Sequence, residues 1–301
     1  KQLALRKVKN GFIENGFNEV LSYSLVPEDK DSLIKISNPL LFETSCLRDN
    51  IWKEHLEIVN RNIKAGQTSC YVFEIGNVFY KNTDLVQEEL LSGAIYGNRK
   101  FGKWVNSGKD VDLNYYQARG KLNEALSCLN IKIDDKPSNS IDFLHPGRTA
   151  KLYIEGKDSG YFGEIHPKLI LEKKALKKVY LFSINVATLL GASTRKNKWI
   201  PTYKQYPIVP KMERDINFIF SKEHLISEIT SVIRKTGKNL LEDVNLIDVF
   251  EDINLGDDSV SYTFRLSYRD KDKTLLDSDI SLIHSNIVSK VEERFNTKLR
   301  N

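Results

Sequence analysis

Two histidines, each followed by proline, stand near the ends of the stretch DFLHPGRTAKLYIEGKDSGYFGEIHP, with Glu155, Asp158 and Glu164 between His145 and His166. Imidazole and carboxylate together are the donor set of a zinc site or of general acid–base chemistry. The spacing argues against a metal, because the two histidines do not fall at i, i+2 or i, i+4, where two ligands share one face of a strand or helix. A strand, a turn and a second strand also account for the stretch, in which case both histidines only frame a hairpin. Cys46 and His55 are the other chemically competent pair, and their separation predicts no hydrogen bond between thiol and imidazole. Cys46, Cys70 and Cys128 are odd in number and widely spaced, with no Cys-x-x-Cys pair. They read as reduced thiols in or beside a core, not as a disulfide framework or a zinc knuckle.

The elements that carry these side chains belong to an ordinary globular chain. With 301 residues, 41% hydrophobic and 28% charged, it can bury one large core or two separate ones, and two domains are expected. No apolar run approaches the roughly 20 residues that cross a bilayer. The amino end, KQLALRKVKN, has neither a secretory apolar core nor an initiator Met, which points to a cytoplasmic fragment of a longer protein with no membrane partner. Basic residues exceed acidic ones by only 45 to 40, yet between Lys173 and Lys204 there are eight Lys or Arg and no acid. Such a field attracts a polyanion, and a solvated linker has the same composition.

Leu5, Val8, Phe12 and Ile13 recur at helical spacing before Gly16, after which EVLSYSLV alternates like a strand. A turn at Asn38-Pro39 and an amphipathic helix from about Asn50 to Gly66 follow. The runs CYVFEIGNVFY, LLSGAIYG and KVYLFSINV read as strands and YYQARGKLNEALSCLN as a helix. Successive strands with helices inserted imply an α+β layer, a mostly antiparallel sheet with helices packed on it. The pattern lapses in GASTRKNKWIPTYKQYPIVP, so a first module over 1–190, a basic Pro-containing linker over 191–205 and a second domain over 206–301 are expected.

In the second domain the order is RDINFIF strand, LISEITSVIRKTG helix, LEDVNLIDVFED strand and SVSYTFRLSYRD strand. A helix capped by Ser278 or Asp279 and a short TKLR strand complete it. That order is βαββαβ, a ferredoxin-like split βαβ arrangement. Alternation puts Val260, Tyr262, Phe264, Leu266 and Tyr268 toward the helices, and Ser261, Thr263, Arg265, Ser267 and Arg269 on an open, polar and basic face. Such a face suits single-stranded RNA, read by stacking and by hydrogen bonds to base edges. The same arginines could instead pair with Asp215 or Asp270.

Together the segments YPIVPKMERDINFIF, LIDVFED, SYTFRLSYRD, TLLDSDI and KVEERFNTKLR resemble the ferredoxin-fold anticodon-binding domain of the phenylalanyl-tRNA synthetase β-subunit family. ISNPLLFETSCLRDNI, YVFEIGNVF, HPGRTA and GEIHPKL resemble that subunit's catalytic-like class II module. The resemblance covers nearly the whole chain and corresponds to the C-terminal half of such a subunit. One departure is LRDNIWKEHL, where the family usually has a small residue after the Arg and a Pro further on.

The resemblance implies a class II fold whose catalysis resides in a separate α subunit. An active module needs Arg to hold the ATP α-phosphate and a second Arg to stack on adenine. Against Gly-Arg-Val-Tyr-Arg this chain has Gly76 to Tyr80, and against Phe-Gly-Leu-Gly-Ile-Glu-Arg it has Phe182 to Thr188, so Tyr80 and Thr188 replace the two arginines. The resemblance therefore implies a noncatalytic part of an aminoacyl-tRNA ligase, with no catalytic or metal residue and no cofactor of its own, ATP and magnesium being used by the holoenzyme. A Gly-x-x-His-Pro segment precedes the third motif of the α subunit as well, which makes His166 and Pro167 a shared scaffold feature. The implied partners are the catalytic α subunit, in an assembly of two α and two β chains, and tRNA(Phe). Phe12 and Phe17 are expected at the α-subunit interface, and Lys211, Arg214, Arg265, Arg269 and Arg300 at RNA. Two rival readings remain open: a free-standing RNA-binding or regulatory protein built from synthetase parts, and a complete enzyme with an unusual ATP site, which Tyr80 and Thr188 oppose.

Overall fold

In the computed structural model, which describes residues 1–28, 34–81, 83–97, 113–172, 178–200, 203, 205–251 and 258–300, the chain divides into two units, 1–202 and 203–301. The first unit opens with α1 (Gln2–Glu14), β1 (Asn18–Glu19), β2 (Leu25–Val26), β3 (Cys46–Leu47) and α2 (Trp52–Lys64). Then come β4 (Cys70–Lys81), β5 (Leu85–Tyr96), α3 (Tyr115–Leu126), β6 (Ile133–Pro137), β7 (Leu144–Ile154) and β8 (Lys157–Ile165). The unit ends with α4 (Pro167–Glu172), β9 (Val179–Asn185), α5 (Val186–Ser193) and α6 (Lys196–Trp199).

Seven strands form one sheet in the order β1-β4-β5-β9-β8-β7-β6, antiparallel except for the β1-β4 pair. Both faces of its centre are covered, which is why these strands read as nearly continuous apolar runs. Phe73, Leu91, Ile95 and Phe182 meet Val8 and Phe12 of α1, Leu122 of α3 and Leu189 of α5 on one face. Their neighbours Val72, Ala94 and Leu181 meet Trp52, Leu56 and Val59 of α2 on the other. Gly97 turns the chain after β5 at a φ of 68°, where a Cβ would lie 2.0 Å from the Thr68 carbonyl oxygen.

Three expectations are corrected here. Phe12 and Phe17, assigned to a subunit interface, are core: Phe12 stacks on Phe73 at 4.8 Å and meets Phe17 edge-on at 5.0 Å. EVLSYSLV is not one strand, because after Val20 donates to the Phe73 carbonyl, the Ser22 N–H turns to the side chain of Glu74 and the ladder stops. The aperiodic stretch after 190 is not wholly linker: α5, whose Asn185 cap accepts from the Thr188 N–H, runs to Ser193, and α6 lies beyond it. Neither helix is long enough to show a period. The basic stretch Lys173 to Lys204 falls partly outside the described residues.

The second unit contains β10 (Met212–Ser221), α7 (Ile226–Gly237), β11 (Leu241–Phe250), β12 (Ser259–Tyr268) and α8 (Asp277–Phe295). The sheet order is β10-β12-β11, both pairs antiparallel, and Leu299 adds a single bridge to Phe218 in place of a full last strand. Ile216, Phe218, Phe264, Leu266 and Tyr268 pack against Ile229 and Ile233 of α7 and Ile287 and Val291 of α8. Neither Ser278 nor Asp279 is the N-cap of α8: Asp279 lies in the first turn and accepts from the Leu276 N–H at 3.0 Å. Asn296, at a φ of 48°, closes the helix in the left-handed conformation that Asn tolerates.

Candidate nucleic-acid interface

On the face of the second sheet away from α7 and α8, register places Glu213, Asp215 and Asn217 of β10 beside Ser267, Arg265 and Thr263 of β12, and these beside Asp243, Asn245 and Asp248 of β11. Four of these nine are carboxylates, three of them paired with Lys211, Arg234 and Arg265, so the expected basic face is one of charges already engaged. The reason lies in the neighbouring strands: alternation along β12 alone shows its arginine but not the acids that register brings alongside. Arg265 gives Nε and Nη2 to the two carboxylate oxygens of Asp215, each at 2.8 Å. This fork holds the Asp215 carboxyl below its usual range and the guanidinium above its own.

The other expected RNA contacts also have partners. Arg214 pairs with Asp277, Arg269 lies 3.0 Å from Glu242, and Lys211 lies 2.5 Å from Glu213. Arg269 follows the last residue of β12, its N–H donating to the Leu240 carbonyl. Among the described residues Arg300 is different: its guanidinium carbon lies 5.8 Å from the ring centre of Phe250, while its backbone N–H donates to Asn217. Phe250 is 44% exposed and pairs with Ser261, which puts it on the open face.

Sequence reasoning missed Phe250 for an identifiable cause. Strict alternation groups it with Leu246 and Asp248, and Leu246 faces the helices. A bulge between Leu246 and Asp248 reverses the parity, pairing Asp248 with Thr263 and Phe250 with Ser261. The polar floor between Arg300 and Phe250 is knit together: Asn217 Nδ2 donates to Thr263 and Ser261 Oγ donates to Asn217, both at 2.8 Å. An exposed aromatic ring with a guanidinium against it, above a rigid polar sheet, can stack a base and meet a phosphate at once.

In the first unit the structure brings Tyr80 and Thr188 to one place. Asn185 Nδ2 donates to Glu88 at 2.6 Å while its Oδ1 accepts from the Thr188 N–H at 2.7 Å. The charge of Glu88 is the chief cause that raises the Tyr80 phenol above its usual range. A carboxylate bound between the two positions opposes a triphosphate, so these residues do not fit ATP.

The opening histidines are part of the scaffold. His145 Nδ1 accepts from the Gly147 N–H at 3.0 Å and His166 Nδ1 from the Lys168 N–H at 3.1 Å. A different histidine sits in a charged cluster beneath α2. Arg48, 2% exposed, donates Nη2 to Glu74 at 2.9 Å, Nη1 to Ser22 at 2.7 Å and Nε to the Asn77 carbonyl at 2.8 Å. Ser22 Oγ donates to the second Glu74 oxygen at 2.5 Å. Gly76 leaves room for the pair, since a Cβ there would lie 2.3 Å from Arg48 Nη2. His55 Nε2 is 3.8 Å from Glu74, and neither ring nitrogen has a hydrogen-bond partner among the described residues.

Burial first, and then Arg48, push the His55 imidazole down to about 3. The folded state therefore keeps His55 neutral while the unfolded chain binds a proton below its ordinary value. This stabilisation is complete above pH 6.5 and is lost as pH falls from 6.5 toward 3. Moving from neutral pH to pH 5 is expected to remove about 2 kcal/mol through this group. Urea unfolding followed by tryptophan fluorescence reports the first unit, where all three tryptophans lie. The pH slope should flatten in His55→Gln, and an equal slope in the variant would show that His55 is not its source.

Comparison with known proteins bears on both units. Residues 1–186 match the family described as phenylalanyl tRNA synthetase beta chain CLM domain, and residues 207–300 match the ferredoxin-fold anticodon binding domain. The chain is 81% identical over 301 residues to the phenylalanine–tRNA ligase beta subunit of Prochlorococcus marinus (strain MIT 9312), covering 100% of this chain and 37% of that protein. It is 65% identical to the beta subunit of P. marinus subsp. pastoris (strain CCMP1986 / NIES-2087 / MED4), covering 99% and 36%. The same subunit of Synechococcus sp. (strain CC9605) is 42% identical, covering 100% and 37%. The chain thus spans little more than a third of the length of these relatives. A pyrrolysyl-tRNA synthetase of Desulfitobacterium hafniense aligns over 63% of this chain and 65% of its own at 10% identity and a TM-score of 0.47, too low a likeness to assign a fold.

Proposed function

This chain belongs to the phenylalanyl-tRNA synthetase β-chain family, and on that premise we propose that it is a noncatalytic part of a phenylalanine–tRNA ligase. The first unit assembles with a catalytic α subunit, in a complex of two α and two β chains, and the second unit holds the anticodon region of tRNA(Phe). ATP and magnesium are handled by the α subunit, since Glu88, held by Asn185 beside Tyr80, opposes a triphosphate here. Among the described residues no helix is long and apolar enough to cross a membrane, and we place the enzyme in the cytoplasm.

The observation that carries the RNA-binding reading is the Phe250–Arg300 pair on the open sheet of the unit that matches an anticodon-binding family. A splayed anticodon base stacks on Phe250, and the Arg300 guanidinium reaches the adjoining phosphate. Binding energy gained there positions the acceptor end at the remote α-subunit site. Arg265 would have to surrender Asp215 before it met RNA, so it contributes little.

Phe250→Ala is expected to weaken tRNA(Phe) binding by about 1–3 kcal/mol with little change in salt dependence. Arg300→Ala should also reduce the salt slope, by about 0.7 for a single-stranded contact. Arg265→Ala should leave both near the unaltered values. Filter binding across a salt series checks all three, and full affinity in Phe250→Ala together with a loss in Arg265→Ala would reverse the assignment.

A further inference from the structure

The face of the first sheet that α2 covers changes character from one row of side chains to the next. Val72, Ala94 and Leu181, side by side on β4, β5 and β9, pack under α2. Two residues further along the strands, on the same face, register sets Ser92, Ser183, Tyr161, Lys151 and Lys136 in one line across β5, β9, β8, β7 and β6. Tyr153 follows Lys151 on that face, beside Asp134 of β6 and Asp158 of β8. An apolar row thus gives way, toward the β6 edge of the sheet, to hydroxyls, tyrosines and lysines.

These rings and cations are paired. Lys136 Nζ lies 4.8 Å from the ring centre of Tyr153, and Lys151 Nζ lies 5.7 Å from that of Tyr161. Both rings are half-buried and Lys136 is exposed. The carboxylates beside Tyr153 are already engaged, Asp158 by Lys151 at 2.7 Å and Asp134 by Lys132 at 2.6 Å. Lys136 has no carboxylate partner among the described residues, so its charge can meet a ligand without one ion pair being traded for another. A lysine beside a proline on an edge strand also guards a sheet against pairing with another. That role asks nothing of Tyr153 and Tyr161, which lie inward of the edge on β7 and β8.

We infer that Tyr153, Tyr161 and Lys136 form a second RNA-binding surface, on the first unit, which takes an unpaired stretch of tRNA outside the anticodon. The chemistry is that of Phe250 and Arg300: a ring on an open sheet stacks a base, and a cation with no carboxylate meets the adjoining phosphate. A base inside a duplex stem has no face to offer a ring, so the ligand is single-stranded. The inference rests on the proposed reading that this chain serves a tRNA ligase, and it adds a contact separate from the one on the second unit.

The test uses the assembled ligase with Tyr153→Ala, Tyr153→Phe or Lys136→Ala in the β subunit, and filter binding of a tRNA(Phe) transcript across a salt series. Tyr153→Ala is expected to weaken binding about tenfold with little change in salt slope, and Tyr153→Phe, which keeps the ring, to bind as the unaltered enzyme does. Lys136→Ala should lower affinity severalfold and reduce the slope by about 0.7. Because Lys136 is exposed, that variant reports on the surface even where Tyr153→Ala lowers the melting temperature. Combined with Phe250→Ala, each loss should multiply, as independent contacts do. Full affinity in both Tyr153→Ala and Lys136→Ala, with Phe250→Ala still weakened, would overturn the inference and leave Lys136 as protection of the sheet edge. A loss confined to Lys136→Ala would overturn the unpaired stretch by assigning the face to the backbone of a duplex stem. Lost copurification with the α subunit at unchanged tRNA affinity would overturn the choice of RNA. Failure of the unaltered ligase to bind tRNA(Phe) would instead overturn the reading on which the inference rests.

Discussion

Arg48→Ala is expected to destabilise the first unit by about 3–5 kcal/mol, because it strands a buried carboxylate. Glu74 and Arg48 are each 2% exposed at the side chain, and the substitution leaves Glu74 with only the Ser22 donors and the Asn77 carbonyl without its guanidinium. Removing both charges together is a different matter. Arg48→Met with Glu74→Leu keeps comparable volume and leaves no orphan charge, so most of the loss should be recovered. Urea unfolding monitored by tryptophan fluorescence separates the cases. A loss under about 1 kcal/mol in Arg48→Ala would mean that water relieves the exposed carboxylate, contrary to a dry ionic cluster.

That cluster shows why the sequence is legible in some places and silent in others. The strands of the first sheet stand out because Val72 and Phe73, Ala94 and Ile95, and Leu181 and Phe182 feed opposite faces and are all apolar. The split βαβ order of the second unit is equally plain, since α8 buries Ile280, Ile287, Val291 and Phe295 at helical spacing. What periodicity cannot carry is long-range pairing. Nothing near Arg48 in the chain names Glu74 as its partner, so Ser22 reads as one position in an alternating strand and Phe12 as a residue for an interface. The carboxylates that engage the cations of the second sheet's open face have the same origin, and the β11 bulge that turns Phe250 outward has no composition signal.

Phe250 and Arg300 also show what family membership leaves to geometry. Anticodon binding is a property of a domain family, and it does not say which of five basic side chains is available. Pairing of Arg265 with Asp215 and of Arg214 with Asp277 leaves the ring and guanidinium at the sheet's far side as the place where stacking and charge coincide. A basic residue engaged by a carboxylate must trade one ion pair for another, with little net gain.

Removing residues 203–301 from the β subunit of the assembled ligase tests the central claim most directly, since these residues form a unit with its own core. The truncated enzyme is expected to retain phenylalanine-dependent exchange of pyrophosphate with ATP, because the proposed function assigns adenylate formation to the α subunit. It is expected to lose most of its charging of tRNA(Phe), because the binding energy that positions the acceptor end is gone. Loss of the Phe250 and Arg300 contacts, at about 1–3 kcal/mol each, corresponds to a fall of at least about thirtyfold in kcat/KM for tRNA. Unchanged charging by the truncated enzyme, at the same tRNA concentration and salt, would contradict the account.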